Sequence, residues 1–521
     1  MSIIRLLKMN NINSSHRLSS ILNLALGYSK QCWGIGTLVT YCTSTSPALC
    51  IVGSGPSAFY TAQFILRNHK SVRIDMFEKM PAPFGLVRYG VAPDHPENVI
   101  NTFTEVAQNP RFNFLGNVCV GSDVSLPELR EFYAAVILAY GASVDRKLNI
   151  PGEDLNGVLS AKDLVGWYNG SPDHMQLNPK LDCETVAVVG MGNVAIDVAR
   201  ILLSPIDRLK STDIPESVMA ALSASRVRRV VILGRRGPLQ AAFTIKEIRE
   251  LSRLKVDSSG DSPLCLKLLP IGIVQSILQS ETSPEKFLAS LPRPRRRLTE
   301  LLLALERENR TPSVDSKQCD LWFLRSPVRI YPEQGSSNVC KMEIVVNRLI
   351  NTPGGKDPIS EPDPSAPSEF LDCGLVVRSV GYRSFPIDPT LPFDHDRGVI
   401  RTKDSHGRVA DVLGEPANAC PLYCTGWVKR GAVGVIVDTA VEARDTGQAV
   451  LVDLASAQLS CDPKVVNKRG VQIVSFADWQ RVDAVERSSG KALGKPREKL
   501  TSVKSMLMAA FARVAEQKRG H

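Results

Sequence analysis

The sequence predicts an α/β fold with two parallel sheets, the second nested inside the first in chain order. Three observations predict it. A short apolar run, Ala48 to Val52, ends in a Gly-rich turn, and a helical pattern from Ala58 to Leu66 leads into a second run, Val72 to Phe77. The same order restarts downstream, with Thr185 to Val189, another Gly-rich turn, a helical pattern from Ala195 to Leu203 and a run from Val230 to Leu233. Apolar runs then resume at Leu375 to Val380 and Leu422 to Thr425, and both are read as returning to the first sheet. Short apolar runs without alternation suit strands buried on both faces, as helix-covered parallel sheets require. Strand, helix and parallel strand in succession make a βαβ unit, and the chain contains two.

The remaining elements follow in order. No Asp or Glu occurs from Met1 to Arg73, while Arg5, Lys8, Arg17 and Lys30 are spread among Ser, Asn, Leu and Ile. Such a basic, acid-free segment ahead of the first strand reads as an organellar transit peptide, residues 1–46; a tail without an address is the plainer alternative. Ala135 to Ala139 is a further buried strand of the first sheet. Ser204 to Arg226 reads as a mainly helical excursion within the second unit, and the Pro-, Ser- and Gly-rich stretch Asn351 to Glu369 as a surface loop. The resulting division is 47–147 and 371–521 for the first domain, including a C-terminal extension, with 148–370 for the inserted one.

Composition bounds the function. The 521 residues are 43% hydrophobic and 22% charged, with a formal net charge of +10. Without the four leader cations the body is still basic, which favours acidic or phosphorylated partners. No apolar run is long enough to predict a membrane-spanning helix. The twelve cysteines form no C-x-x-C pair, so neither a metal site nor a disulfide framework is indicated.

The two Gly-rich turns carry the chemistry. In Gly53-Ser54-Gly55-Pro56-Ser57-Ala58 the first Gly permits a tight turn out of the strand, and the second lets the backbone approach a pyrophosphate. The helix that follows points free N–H groups at the phosphates. Glu78 ends the second strand, where a carboxylate accepts hydrogen bonds from ribose hydroxyls and repels a 2′-phosphate. This site suits FAD or NAD. In Gly190-Met191-Gly192-Asn193-Val194-Ala195 the loop repeats, but the strand after it ends in Gly234-Arg235-Arg236. Paired guanidiniums suit a dianionic 2′-phosphate, so this site selects NADPH. Opposite ribose chemistry implies two cofactors, with hydride passing from nicotinamide to flavin. That reaction needs no acid, base or nucleophile from the protein.

GSGPSAFYTAQ (53–63), PFGLVRYGVAPDHPE (83–97), GNVAIDVARILL (192–203), GRRGPLQAAFTIKEIRE (234–250), PRPRRRLTELLL (292–303) and GWVKRGAVGVI (426–436) resemble the mitochondrial adrenodoxin reductase family of ferredoxin–NADP reductases. The resemblance runs from about residue 47 to 505. It implies two Rossmann-like domains, the NADPH domain inserted into the FAD domain. It also implies electron transfer through FAD to a small acidic two-iron two-sulfur ferredoxin, for mitochondrial monooxygenases or iron–sulfur and heme pathways. The implied FAD contacts are Gly53, Gly55, Ser57, Glu78, Leu86, Val120, Trp427, Gly434, Val435 and Ile436. The implied NADP contacts are Met191, Gly192, Asn193, Val194, Arg235, Arg236, Glu247 and Gly434. Arg293 and Arg297, in a cluster with Arg295 and Arg296, fall on the ferredoxin-docking patch. A mitochondrial monomer follows, at most peripheral to the inner membrane and without nucleic acid.

The chain departs from the family pattern in a shortened segment after Glu97, in Ala432-Val433 before Gly434, and in an extension from Met506 to His521. The first two keep open a competing reading, a chain that binds both cofactors with little turnover. A disulfide reductase would need a redox cysteine pair, for which Cys420 and Cys424 are the nearest candidates.

Overall fold

The computed structural model describes residues 46–95, 99–256, 262–308, 316–352, 357–411, 419–456 and 470–517. The leader apart from Ser46, and the shortened segment at Pro96–Asn98, lie outside the described residues.

The first sheet has the order β19-β4-β1-β2-β3. Its strands are β1 Ala48–Val52, β2 Arg73–Glu78, β3 Phe112–Gly116, β4 Ala135–Leu138 and β19 Leu422–Cys424. All neighbouring pairs are parallel. Every residue of β1 is buried, because core clusters lie on both faces of the sheet. Helix α1, Pro56–Asn68, starts directly after the first Gly-rich turn with Pro at its first position, where the fixed φ of proline fits and its missing N–H costs nothing. Ala58, Phe59, Ala62, Ile65 and Leu66 recur at helical spacing and form its buried face.

The second sheet has the order β6-β15-β7-β8-β10-β9. Its strands are β6 Val158–Ser160, β7 Thr185–Val189, β8 Arg229–Gly234, β9 Cys265–Leu269, β10 Gln318–Phe323 and β15 Leu375–Arg378. This corrects the expected place of β15. It pairs parallel with β7 and β6, with Leu375 opposite Val186 and Val376 opposite Val158, and not with the first sheet. A run of Leu and Val buried on both faces reads alike in either sheet, so only long-range pairing decides its membership. The chain re-enters the first domain slightly later, at β16 Tyr382–Arg383, which pairs antiparallel with β5 Val144–Asp145 in a separate two-stranded ribbon, and it rejoins the first sheet only at β19. These two strands form the ribbon by which the chain leaves the first domain and re-enters it.

A smaller antiparallel sheet, β11 Arg325–Pro332, β12 Val339–Ile350, β13 Ile359–Pro362 and β14 Glu369–Asp372, is built onto the second domain. The stretch expected as a plain surface loop therefore contains β13 and meets β14, both paired to β12. Its Pro and Ser content fits an edge, where Pro362 needs no ladder donor. A hairpin of β17 Phe393–Asp394 and β18 Val399–Ile400 precedes β19.

The excursion at Ser204–Arg226 forms α4 Ile206–Lys210 and α5 Glu216–Ser223, following α3 Asn193–Leu203. The C-terminal region forms α10 Phe476–Ala492 and α11 Val503–Gln517. α10 and the connection to α11 together tie the excursion to α2, Leu86–Tyr89, in the first domain. Buried Glu486 accepts from Arg88 Nη2 at 2.6 Å. Lys495 Nζ donates to the Ile214 carbonyl at 2.8 Å and to Glu216 at 2.7 Å. Lys499 Nζ lies 3.0 Å from Asp213 and donates to the Arg88 carbonyl. Buried charges persist only when paired in this way.

Candidate functional site

Both Gly-rich turns lie at the carboxyl ends of the central strands of their sheets, where parallel α/β sheets place ligands. Gly53 has φ +101°, and a Cβ there would come within 2.7 Å of the Ala139 carbonyl. Gly190 has φ +121°, with the Ser379 carbonyl 2.1 Å from the same imagined atom. Only glycine fits either turn. Gly55 and Gly192 differ: a Cβ on either meets nothing within 4 Å. This open space above both backbones is the cradle that a pyrophosphate requires, and on that observation the residues present fit FAD and NADPH.

At the first loop, Glu78 is fixed by three donors. Its Oε2 accepts from Ser54 N at 3.0 Å and Ser54 Oγ at 2.6 Å, and its Oε1 accepts from Met80 N at 3.0 Å. Oε1 thus keeps a lone pair for a ribose hydroxyl. Burial pushes the Glu78 carboxyl up, against the pull of these hydrogen bonds. Leu86 opens α2 and is exposed, immediately after Gly85, whose Cβ would lie 3.1 Å from Gly55 Cα. Val120 packs in the core with Val52, Phe77 and Leu138. Ser57 is buried against the turn at Gly426, which carries Trp427 into the short helix α8, Trp427–Arg430.

The Trp427 ring stacks on Tyr382 of the crossover ribbon, with centroids 5.9 Å apart and planes at 28°. One face of the indole is thereby used within the protein. Gly434 and Val435 precede α9, Ile436–Ser456. The Val435 N–H donates to Asp438 Oδ2 at 2.8 Å. An Asp in the first helical turn satisfies donors that the helix leaves open. Around this turn Val433, Val435 and Val437 are 64%, 45% and 70% exposed. An apolar cluster this open suits cover by a flat, largely apolar ring.

At the second loop, Met191 packs its thioether over Gly234, and its backbone carbonyl accepts from Ala242 N at 3.1 Å. Asn193 Oδ1 accepts from Thr244 N at 2.8 Å, and Val194 leans on the second core. Arg235 is exposed at the end of β8 and Arg236 is half-buried, 3.5 Å from Asp357. The small sheet fixes this corner, since the Arg235 carbonyl accepts from Asn347 Nδ2 at 3.1 Å and Ser360 Oγ at 2.6 Å.

A charged seam joins the domains beside these loops. Fully buried Arg200 of α3 pairs with Asp94 of the first domain and with Asp197 at 2.6 Å. His95 pairs with Glu250 of α6, Ile245–Ser252. Glu247, on the same helix, has a buried Oε2 with no partner among the described residues. Burial pushes its carboxyl up, with Asp197 and Glu250 adding and Lys246 and His95 opposing. An unmatched buried acceptor suits a hydroxyl donor on a ligand. Sequence reasoning singled out Glu247 but missed Asp94, His95, Asp197, Arg200 and Glu250. All five lie inside the quoted motifs, but nothing in their spacing shows that they meet.

Helix α7, Arg293–Glu308, carries the basic cluster. Arg293 and Arg297 are exposed, as a docking face requires. Arg295 turns inward and donates to the Ala241 carbonyl at 2.7 Å. No disulfide joins the nine cysteines among the described residues, and Cys424 is buried and Cys420 partly so.

No protein-family model matches the chain. Among curated proteins it is 46% identical over 478 residues to the mitochondrial NADPH:adrenodoxin oxidoreductase of Homo sapiens, covering 89% of this chain and 91% of that protein. The protein of the same name from Drosophila melanogaster is 43% identical over 477 residues, covering 90% and 94%. Among solved structures, Mycobacterium tuberculosis FprA in complex with NADPH aligns with a TM-score of 0.78 at 37% identity, covering 89% of this chain and all of that one. Identity this high, over nearly the whole of both chains, settles the relationship: the chain belongs to the NADPH:adrenodoxin oxidoreductase family.

Proposed function

We propose that this protein takes hydride from NADPH onto FAD and passes electrons singly to a small acidic two-iron two-sulfur ferredoxin. The single observation that carries the reading is the contrast at the two strand ends, a fixed carboxylate at Glu78 and a pair of guanidiniums at Arg235 and Arg236. FAD, when bound, supplies the conversion from two-electron to one-electron chemistry. The chain's own residues bind and orient. Gly53, Gly55 and Ser57 accommodate one pyrophosphate, and Glu78 holds its ribose. Met191 to Val194 accommodate the other, Arg235 and Arg236 hold its 2′-phosphate, and Glu247 accepts from the nicotinamide ribose. Trp427 and Gly434 to Ile436 line the meeting place of the two rings and keep water from it. Arg293 and Arg297 receive the ferredoxin.

The curated relatives are named mitochondrial, and the acid-free leader supports the same compartment for this chain. The finer reading is a matrix monomer, at most peripheral to the inner membrane. Among the described residues no helix is long and apolar enough to cross a membrane. The test is a flavin spectrum of the purified protein before and after NADPH or NADH, followed by cytochrome c reduction with and without a ferredoxin. NADPH should bleach the flavin more readily than NADH, and cytochrome c reduction should need ferredoxin. Purification without flavin would sink the reading.

A further inference from the structure

The sequence grouped Arg295 with its neighbours as one basic patch, yet the fold separates it from them. Arg293 and Arg297 face solvent, while the Arg295 side chain runs into the second domain. Its Nη1 is held by the carbonyl of Ala241, which closes the short turn Pro238–Gln240 just beyond Arg236. A guanidinium has five donors, and among the described residues Arg295 has no carboxylate within ion-pair distance. Most of its hydrogen-bonding capacity is therefore uncommitted beside the candidate 2′-phosphate corner. Asp357, reaching over from the small sheet, is 83% exposed and lies 3.5 Å from Arg236. Burial foremost holds the Arg295 guanidinium below its ordinary value, Asp357 opposes this and Arg236 adds to it, so the three charges sense one another.

We propose that Arg295 is a third guanidinium of the 2′-phosphate seat, and that Asp357 is the seat's internal counter-ion, displaced when the nucleotide arrives. The proposal rests on the reading of Arg235 and Arg236 given above. A 2′-phosphate carries close to two negative charges at neutral pH and three acceptor oxygens, a better match to several guanidiniums than one carboxylate is. Asp357 holds Arg236 in place before binding, and its charge opposes the phosphate during binding. Arg295 is thus a specificity-determining residue, not part of the ferredoxin face.

The test uses the flavin-loaded protein and two probes that differ only in the 2′-phosphate, 2′,5′-ADP and 5′-AMP, titrated by calorimetry. Arg295→Gln should weaken 2′,5′-ADP about tenfold, the loss of one charge-assisted contact, and leave 5′-AMP unchanged. The apparent constant for ferredoxin should not move. Asp357→Asn, at an exposed position that leaves folding intact, should tighten 2′,5′-ADP about twofold at low salt, and the gain should vanish at high salt. The proposal is overturned if Arg295→Gln weakens both probes alike or neither, or if Asp357→Asn weakens 2′,5′-ADP. Arg235→Ala with Arg236→Ala serves as the reference. If that pair discriminates the probes and Arg295→Gln does not, this inference fails alone. If the pair affects both probes equally, the 2′-phosphate reading itself fails.

Discussion

Arg235 and Arg236 are adjacent in sequence but differ in their surroundings. Arg235 is exposed with its carbonyl fixed by Asn347 and Ser360, whereas Arg236 is half-buried against Asp357. Replacing both by Ala should weaken NADPH by roughly 1.5–3 kcal/mol per charged hydrogen bond lost, and leave NADH nearly unchanged. Equal losses for both nucleotides would contradict the assignment. Asn347→Ala removes a donor from the Arg235 carbonyl, and the same ratio of nucleotide affinities should fall by a smaller factor. Glu78, Arg235 and Arg236 were legible because each ends a strand after a Gly-rich turn, where position alone implies a role. Asn347, Ser360 and Asp357 were not, since they reach the site from two strands and a loop more than a hundred residues away. The same holds for His95 and Glu250, which meet across the domain boundary.

Elements show a related contrast. The two βαβ units were read nearly residue by residue, because a buried strand, a Gly turn and a helical pattern are local signals. β15 was assigned to the wrong sheet, because its apolar run specifies burial and not a partner. The basic cluster on α7 divides by helical geometry that the sequence only partly revealed. Arg293 and Arg297 are four residues apart and share a face, while Arg295 lies between them on another. Arg293→Glu with Arg297→Glu should raise the apparent constant for ferredoxin, most strongly at low salt, and spare reduction of ferricyanide by NADPH. A parallel fall in both activities would remove these two residues from the docking face. α10 makes a second element-scale prediction. Glu486→Ala leaves Arg88 buried without its carboxylate, which should lower stability by about 3–5 kcal/mol. Because Arg88 belongs to α2 beside Leu86, flavin retention during thermal unfolding should fall with it. A variant that unfolds at the parent's temperature would show that the pair is dispensable.

For the whole molecule, stability responds to pH through carboxylates held below their ordinary range. Asp453 is the clearest, pulled down first by its hydrogen bond with Arg408 and further by Tyr423, with burial opposing. A carboxyl depressed in the folded state adds stability that is present above its unfolded value and lost as pH falls through the folded one. The thermal midpoint should therefore drop below about pH 4, and Asp453→Asn should start lower at neutral pH and lose less in acid. Parallel acid profiles for parent and variant would show that Asp453 does not contribute.

The crossover ribbon has a consequence in time as well as in space. β4 leaves the first sheet for β5, and β19 cannot take its place beside β4 until the whole inserted domain has been made and its two ends brought together at β16. The sheet that holds the flavin loop is thus the last to be completed, and closing so long an interval of chain is slow unless the interval has already collapsed into a folded unit. In refolding from denaturant, binding of 2′-phosphorylated nucleotide should recover before flavin fluorescence is quenched. Of the two nucleotide sites, the one encoded first in the chain should be the last to form.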